Sequence, residues 1–277
     1  MNEWFIAVVL GLIQGLTEFL PISSTAHIFL VSQIFGWGDP GAAFTAVVQL
    51  GTETAVLIYF WRDISHLIGV LIKSISDSAL RKSQDGILAW ALVIGSLPIG
   101  IVGFILKDFI ESDVRTVWVV ATALIVFGVV LIAVERFAFP RKSKMTIGAG
   151  LFMGIGQTLA LIPGVSRSGA TISAGIAIGL ERRVATRYAF LLAVPAVFAS
   201  GLYELNSALN NSVTDINFSV AQIVLATGIS FAVGLFVIAG LMRFLAKYTF
   251  SVFGYYRIAL GVILLILAST GVIAVNA

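Results

Sequence analysis

The sequence predicts an all-α polytopic membrane protein, on three observations: its composition, the length of its apolar runs, and two polar motifs that interrupt apolar stretches. Of 277 residues, 59% are hydrophobic and only 11% charged, and the mean hydropathy is +1.04. A water-soluble domain carries about 25% charged residues, so a soluble fold is excluded. Apolar runs such as Ile87–Leu106, Val117–Val134, Val220–Met242 and Ile258–Val275 approach the roughly 20 residues a helix needs to cross the hydrocarbon. Because these runs are apolar on every face, a β-barrel, which alternates polarity, is excluded as well.

The chain has no cysteine, which removes thiol nucleophiles, disulfides and Cys-based metal centres. Its net charge of +3 is assigned to membrane topology and not to nucleic acid, since basic residues mark cytoplasmic loops. Met1-Asn2-Glu3-Trp4 carries acid where a secretory signal carries basic residues, so the N-terminus is read as mature protein.

Spanning helices are predicted near 41–60, 86–106, 117–135, 187–203, 219–241 and 252–275. Two regions break this pattern. Gly11 to His27 places Glu18, Pro21, Ser23, Ser24, Thr25 and His27 within an apolar stretch, and Gly154 to Thr171 does the same with Pro163, Ser166, Arg167 and Ser168. Proline stops a helix and a Ser/Thr cap restarts it. Non-helical backbone at membrane depth survives only where it is buried in protein or lines a cavity, so each region is read as a re-entrant helical hairpin.

The two regions match each other. Aligning Pro21 with Pro163 puts Ser24 on Ser166 and brings Gln14 within one residue of Gln157. The chain is therefore read as a single membrane domain, 1–277, built from internal repeats of approximately 1–138 and 145–277. With this layout thirteen Lys and Arg fall on one side and two, Lys107 and Arg115, on the other, a strong positive-inside signal. Three spans per half make the second repeat inverted, giving six transmembrane helices plus two re-entrant hairpins whose tips meet near the midplane.

Ionisable groups inside a bilayer are functional candidates by default. Gln14 and Glu18 are four apart and share a helix face, and their hard oxygens suit Mg²⁺ or Ca²⁺ held jointly with phosphate. The alternative for Glu18 is a helix-end carboxylate that pairs with Arg167. Ser24 and His27 are three apart, so imidazole could activate a hydroxyl nucleophile or itself accept a phosphoryl group. Arg167, flanked by Ser166 and Ser168 and followed by Thr171, offers a bidentate fork at a helix start, which suits phosphate oxygens. Glu53 lies within a predicted span with no partner legible in the sequence. The spacings Gly11-x-x-x-Gly15, Gly150-x-x-x-Gly154 and Gly175-x-x-x-Gly179 are read as helix-packing faces, since no Gly-Lys-Ser/Thr follows them.

At these motifs the sequence resembles the bacterial undecaprenyl-diphosphate phosphatases of the bacitracin-resistance type. Gln14-Gly-Leu-Thr-Glu18-Phe-Leu-Pro-Ile-Ser-Ser24-Thr-Ala-His27 resembles the family's (Glu/Gln)-x-x-x-Glu motif and the Ser and His after it. Pro163-Gly-Val-Ser-Arg167-Ser-Gly-Ala-Thr171 is similar to its Pro-Gly-x-Ser-Arg-Ser-x-x-Thr motif, and Tyr59-Phe-Trp-Arg62, read as a loop signature after the first span, agrees too. The resemblance implies hydrolysis of undecaprenyl diphosphate to the monophosphate, a divalent cation, and a plasma-membrane location with the active site opening to the outer side. By the same match Glu18, Ser24, His27 and Arg167 are catalytic, with the nucleophile either Ser24 or His27. Ser23, Thr25, Ser166, Ser168 and Thr171 bind substrate, and Glu18 and Gln14 hold the metal. Many members carry glutamate where this chain has Gln14. The expected partners are the lipid substrate and the membrane, with no nucleic acid and a homodimer as the candidate assembly. A lipid-phosphate transporter using the same cavity is the rival reading.

Overall fold

The computed structural model describes residues 2–38, 40–106, 116–139, 142–209, 218–245 and 247–273, and the elements named here belong to those residues. In chain order these are α1 (Glu3–Thr17), α2 (Ser24–Ile34), α3 (Gly41–Tyr59), α4 (Trp61–Ser74), the single turn α5 (Ser78–Arg81), α6 (Gln84–Ile105), α7 (Val117–Phe137), α8 (Ile147–Thr158), α9 (Arg167–Ala177), α10 (Arg182–Leu209), α11 (Val220–Phe244) and α12 (Ser251–Ser269). The helices α6, α7, α10, α11 and α12 are long and apolar enough to cross a membrane, and α3 with α4 makes a sixth candidate, bent by 79° between them. All six predicted spans fall on helices, within a few residues at most ends. The exceptions are α10, which runs longer at both ends than the predicted 187–203, and α12, which ends at Ser269, before 275.

Helix α4 is a departure from the expectation of a loop after 60. Ile64, Leu67, Ile68, Leu71 and Ile72 recur at helical spacing and give the segment one apolar face. Leu67 is buried, whereas Arg62, His66 and Lys73 sit on the polar side.

The two interrupted regions fold as predicted, each as a short helix, a break and a second helix. Helix α1 ends at Thr17 and α2 restarts behind Ser23, whose hydroxyl accepts from the Ala26 N–H at 3.4 Å. Helix α8 runs into a 3₁₀ turn at Leu159–Leu161, and α9 restarts behind Ser166, whose hydroxyl accepts from the Gly169 N–H at 3.2 Å. Both cap residues occupy the left-handed region, Ser23 at φ 72° and Ser166 at φ 68°, and among the described residues they are the only non-glycines with positive φ.

These matching caps correct the sequence register. Ser23, and not Ser24, corresponds to Ser166, and the same offset pairs Gln14 with Gln157, both fully buried. The prolines mislead because they lie seven residues after Gln14 but six after Gln157, while the interval from glutamine to cap is nine in both. Packing follows the same correspondence: α1 lies against α11, α8 against α6, and α7 along α12. In both hairpins the glycine pair permits the approach. A Cβ on Gly11 would sit 2.6 Å from the Ala226 carbonyl oxygen of α11, and one on Gly154 only 2.0 Å from the Gly95 carbonyl oxygen of α6. These correspondences are compatible with an inverted repeat. Lys107 and Arg115, the two cations of the sparsely charged side, lie outside the described residues.

Candidate active site

The breaks of the two hairpins face each other, and the side chains that sequence reasoning singled out meet there. Glu18, the residue that follows α1, is buried. Its Oε2 accepts from Gln14 Nε2 and from Ser24 Oγ, each at 2.7 Å, and its Oε1 accepts from Arg167 Nη2 at 2.5 Å. Arg167, the first residue of α9, also donates from Nη2 to Glu53 Oε1, a carboxylate supplied by the middle of α3. One guanidinium therefore joins two carboxylates from two other helices. Its Nη1 is buried with no hydrogen-bond partner, as are Glu53 Oε2 and Gln14 Oε1. A buried charge-bearing N–H without an acceptor is costly, and an anionic oxygen is the group that would satisfy it.

This cluster forms the polar end of a cavity of about 570 Å³. Ser23, Ser24, Thr25, Ser166, Glu18 and Arg167 line that end; apolar or small residues of α6, α10 and the second hairpin, among them Ile99, Gly100, Phe104, Leu161 and Val197, line most of the rest, with Gln49, Ser200, Tyr203 and Glu204 as its further polar members. A polar head joined to an apolar trough suits an amphiphile with a phosphate-bearing head group.

Not every predicted residue reaches the cavity. Ser168 is buried between the hairpins, its hydroxyl within hydrogen-bonding distance of the Leu20 and Glu18 carbonyl oxygens at 3.2 and 3.3 Å. Thr171 Oγ1 donates to the Arg167 carbonyl at 2.8 Å along its own helix. Both fasten the framework, because a short hydroxyl on a buried helix face finds a backbone carbonyl before it finds solvent. Gln14 stands behind Glu18, off the cavity wall. His27 does not bond Ser24: its ring nitrogens meet the Ser23 carbonyl and the Tyr256 hydroxyl.

Two residues were missed or left unassigned by sequence reasoning. Glu53 is a full member of the ion-pair cluster, and the signal available was only that a carboxylate in a span needs a partner. Arg257 of α12 is fully buried and pairs with no carboxylate among the described residues. Its guanidinium donates to the carbonyls of Pro21, Gly164 and Val165 at 3.2, 2.9 and 2.8 Å, and at 3.4 Å to Ala123 and Leu124 of α7. It therefore ties both hairpin breaks to α7, satisfying carbonyls that the breaks leave without helical partners.

The profile of the family described as "Bacitracin resistance protein BacA" matches residues 7–263. The chain is 49% identical to the "Undecaprenyl-diphosphatase" of Micrococcus luteus over 274 residues, covering 98% of this chain and 99% of that one. It is 46% identical to "Undecaprenyl-diphosphatase 2" of Streptomyces coelicolor, over 99% of this chain and 98% of that one. It is 48% identical to the "Undecaprenyl-diphosphatase" of Renibacterium salmoninarum, with 98% of each chain covered. On a profile match across most of its length and relatives this similar from end to end, the chain belongs to the BacA bacitracin resistance protein family.

Proposed function

We propose that the chain is an integral membrane phosphatase that hydrolyses undecaprenyl diphosphate to undecaprenyl phosphate and inorganic phosphate. This recycles the carrier lipid for cell-wall synthesis. The observation that carries the reading is the Ser24–Glu18–Arg167 arrangement on the cavity wall, with Arg167 Nη1 still lacking an acceptor. The names of the relatives supply the substrate class.

In this mechanism Arg167 and the N–H groups at the start of α9 hold the diphosphate, and the prenyl chain lies in the apolar trough. Ser24 Oγ attacks the terminal phosphorus while Glu18, already its hydrogen-bond acceptor at 2.7 Å, takes the hydroxyl proton. The bond from that phosphorus to the bridging oxygen breaks, Glu18 passes the proton to that oxygen, and undecaprenyl phosphate leaves with it, so that Glu18 is again ionised. Water then attacks the phosphoserine, Glu18 takes its proton, and inorganic phosphate departs as Ser24 recovers its hydrogen. Arg167 stabilises the charge spread over the equatorial oxygens throughout.

A divalent cation fits the donor set, because Gln14 Oε1 and Glu53 Oε2 are buried oxygens with no partner beside Glu18. Glu18 and Gln14 would hold Mg²⁺ or Ca²⁺. Among the described residues no three His, Asp or Glu side chains group as a metal site, so substrate phosphate would complete the ligand set. When bound, the cation supplies charge neutralisation at the diphosphate. An active site on the outer face accords with the thirteen cations that charge counting places on the opposite side.

The test is phosphate release from undecaprenyl diphosphate by the purified protein, with and without EDTA, beside Arg167→Ala. Release that EDTA suppresses and Arg167→Ala abolishes is expected. A well-folded protein that binds the lipid and releases no phosphate would overturn the reading.

A further inference from the structure

His27 has the residue type of a general base or phosphoryl acceptor, yet both of its ring nitrogens are engaged away from Ser24. Nδ1 lies 2.7 Å from the Ser23 carbonyl oxygen. A carbonyl only accepts, so Nδ1 carries the ring proton. In the neutral ring Nε2 is then the lone-pair nitrogen, which accepts from the Tyr256 hydroxyl 2.7 Å away. The two ring planes are parallel to within 6°, with centroids 5.6 Å apart. The two contacts together fix the tautomer of the neutral imidazole from both ends.

What this imidazole holds is the backbone beside the nucleophile. Ser23 sits at φ 72°, ψ 98°, a conformation that strains a non-glycine residue and persists only where its surroundings over-determine it. Its carbonyl accepts both the His27 backbone N–H, at 3.3 Å, and Nδ1. That carbonyl belongs to the peptide joining Ser23 to Ser24, so pinning it fixes the direction in which the Ser24 side chain leaves the chain. The other hairpin provides an internal comparison. Ser166 has the same backbone conformation, but the residue corresponding to His27 is Ala170. The turn therefore forms without an imidazole, and the brace is present only in the hairpin that carries the cavity-facing Ser24.

We infer that His27 and Tyr256 are positioning residues: Tyr256 orients His27, and His27 clamps the Ser23–Ser24 peptide so that Ser24 Oγ stays on Glu18, with no proton or phosphoryl group passing through the imidazole. This rests on the phosphatase reading of Ser24 and Glu18.

The experiment measures kcat and KM for undecaprenyl diphosphate with the purified full chain and its His27→Asn, His27→Gln, His27→Ala and Tyr256→Phe variants, with thermal melting for each. Asparagine places an N–H where Nδ1–H stands but offers no basic nitrogen, whereas glutamine places its amide where Nε2 stands. His27→Asn is expected to keep kcat within about tenfold. His27→Ala and His27→Gln should lose about a hundredfold or more, the order a 1 Å misplacement costs, with KM unchanged. Tyr256→Phe, which removes one hydroxyl, should lower kcat several-fold. A His27→Asn variant as inactive as His27→Ala, both melting like the wild type, would overturn the inference and give the basic nitrogen a chemical role. Wild-type kcat in Tyr256→Phe would remove Tyr256 from it. No hydrolysis by the wild type would instead overturn the phosphatase reading.

Discussion

Replacing Gly154 by alanine tests whether the position of Arg167 depends on the close approach of α8 to α6. A Cβ at 154 would stand 2.0 Å from the Gly95 carbonyl oxygen and 2.8 Å from Gly95 C and Cα, where ordinary contact begins at 3.4 Å. The neighbouring atoms are backbone, so no side chain can turn aside, and the helices must part by 3.4 − 2.0 = 1.4 Å at this level. Overpacking of this kind costs about 1–3 kcal/mol, and backbone against backbone belongs at the upper end. If the whole displacement reached Arg167 along its pair with Glu18, that contact would stretch from 2.5 Å to about 3.9 Å, beyond hydrogen bonding. A misplacement near 1 Å costs about a hundredfold in rate. Gly154→Ala should therefore melt well below the wild type and lose about two orders of magnitude in kcat for phosphate release. Gly148→Ala is the control on the same helix: its Cβ meets nothing within 4 Å, so alanine gains at most about 1 kcal/mol of helix preference. A Gly154→Ala protein with wild-type melting and wild-type kcat would refute the reasoning.

Arg257→Met deletes the donor to five carbonyls and should cost about 3 kcal/mol or more in a denaturation series in detergent, since buried acceptors are left unmatched. Glu53→Gln removes one of two negative charges facing Arg167 and should lower KM for the anionic substrate several-fold, most visibly at low salt, in steady-state assays. Ser166→Ala removes a helix cap without relieving φ 68° and should lose about 1 kcal/mol, whereas Ser166→Gly should be nearly neutral, as read by thermal melting.

The spanning helices were legible because each is an uninterrupted apolar run with few ways to fold in lipid. The hairpins were legible because proline and Ser/Thr caps stand where a continuous helix would have none. Helix α4 was not read, although Ile64, Leu67, Ile68, Leu71 and Ile72 spell its face, because the polar residues between them resembled a loop. Glu18, Ser24 and Arg167 announced themselves as polar groups packed into short motifs. Glu53 and Arg257 did not, since their partners lie 114 and up to 236 residues away in sequence. Local spacing carries no information about contacts of that range. The one-residue register error arose from trusting prolines, which only forbid helix, over the caps that define where it resumes. His27 was legible as a residue of interest, but its role depended on which neighbours its two nitrogens found.

Arg257 also bears on how the molecule can move. A carrier that exposes one cavity alternately to two sides must let its two hairpins shift against each other. Here one guanidinium grips Pro21 from the first hairpin, Gly164 and Val165 from the second, and Ala123 and Leu124 of α7. Separating the hairpins would break several charge-assisted bonds at about 1.5–3 kcal/mol each inside a medium that offers no water in exchange. The tie makes the meeting point of the hairpins a fixed anvil and not a hinge, which suits a site that must hold a hydroxyl, a carboxylate and a phosphorus in register and opposes passage of a lipid head group between the hairpins.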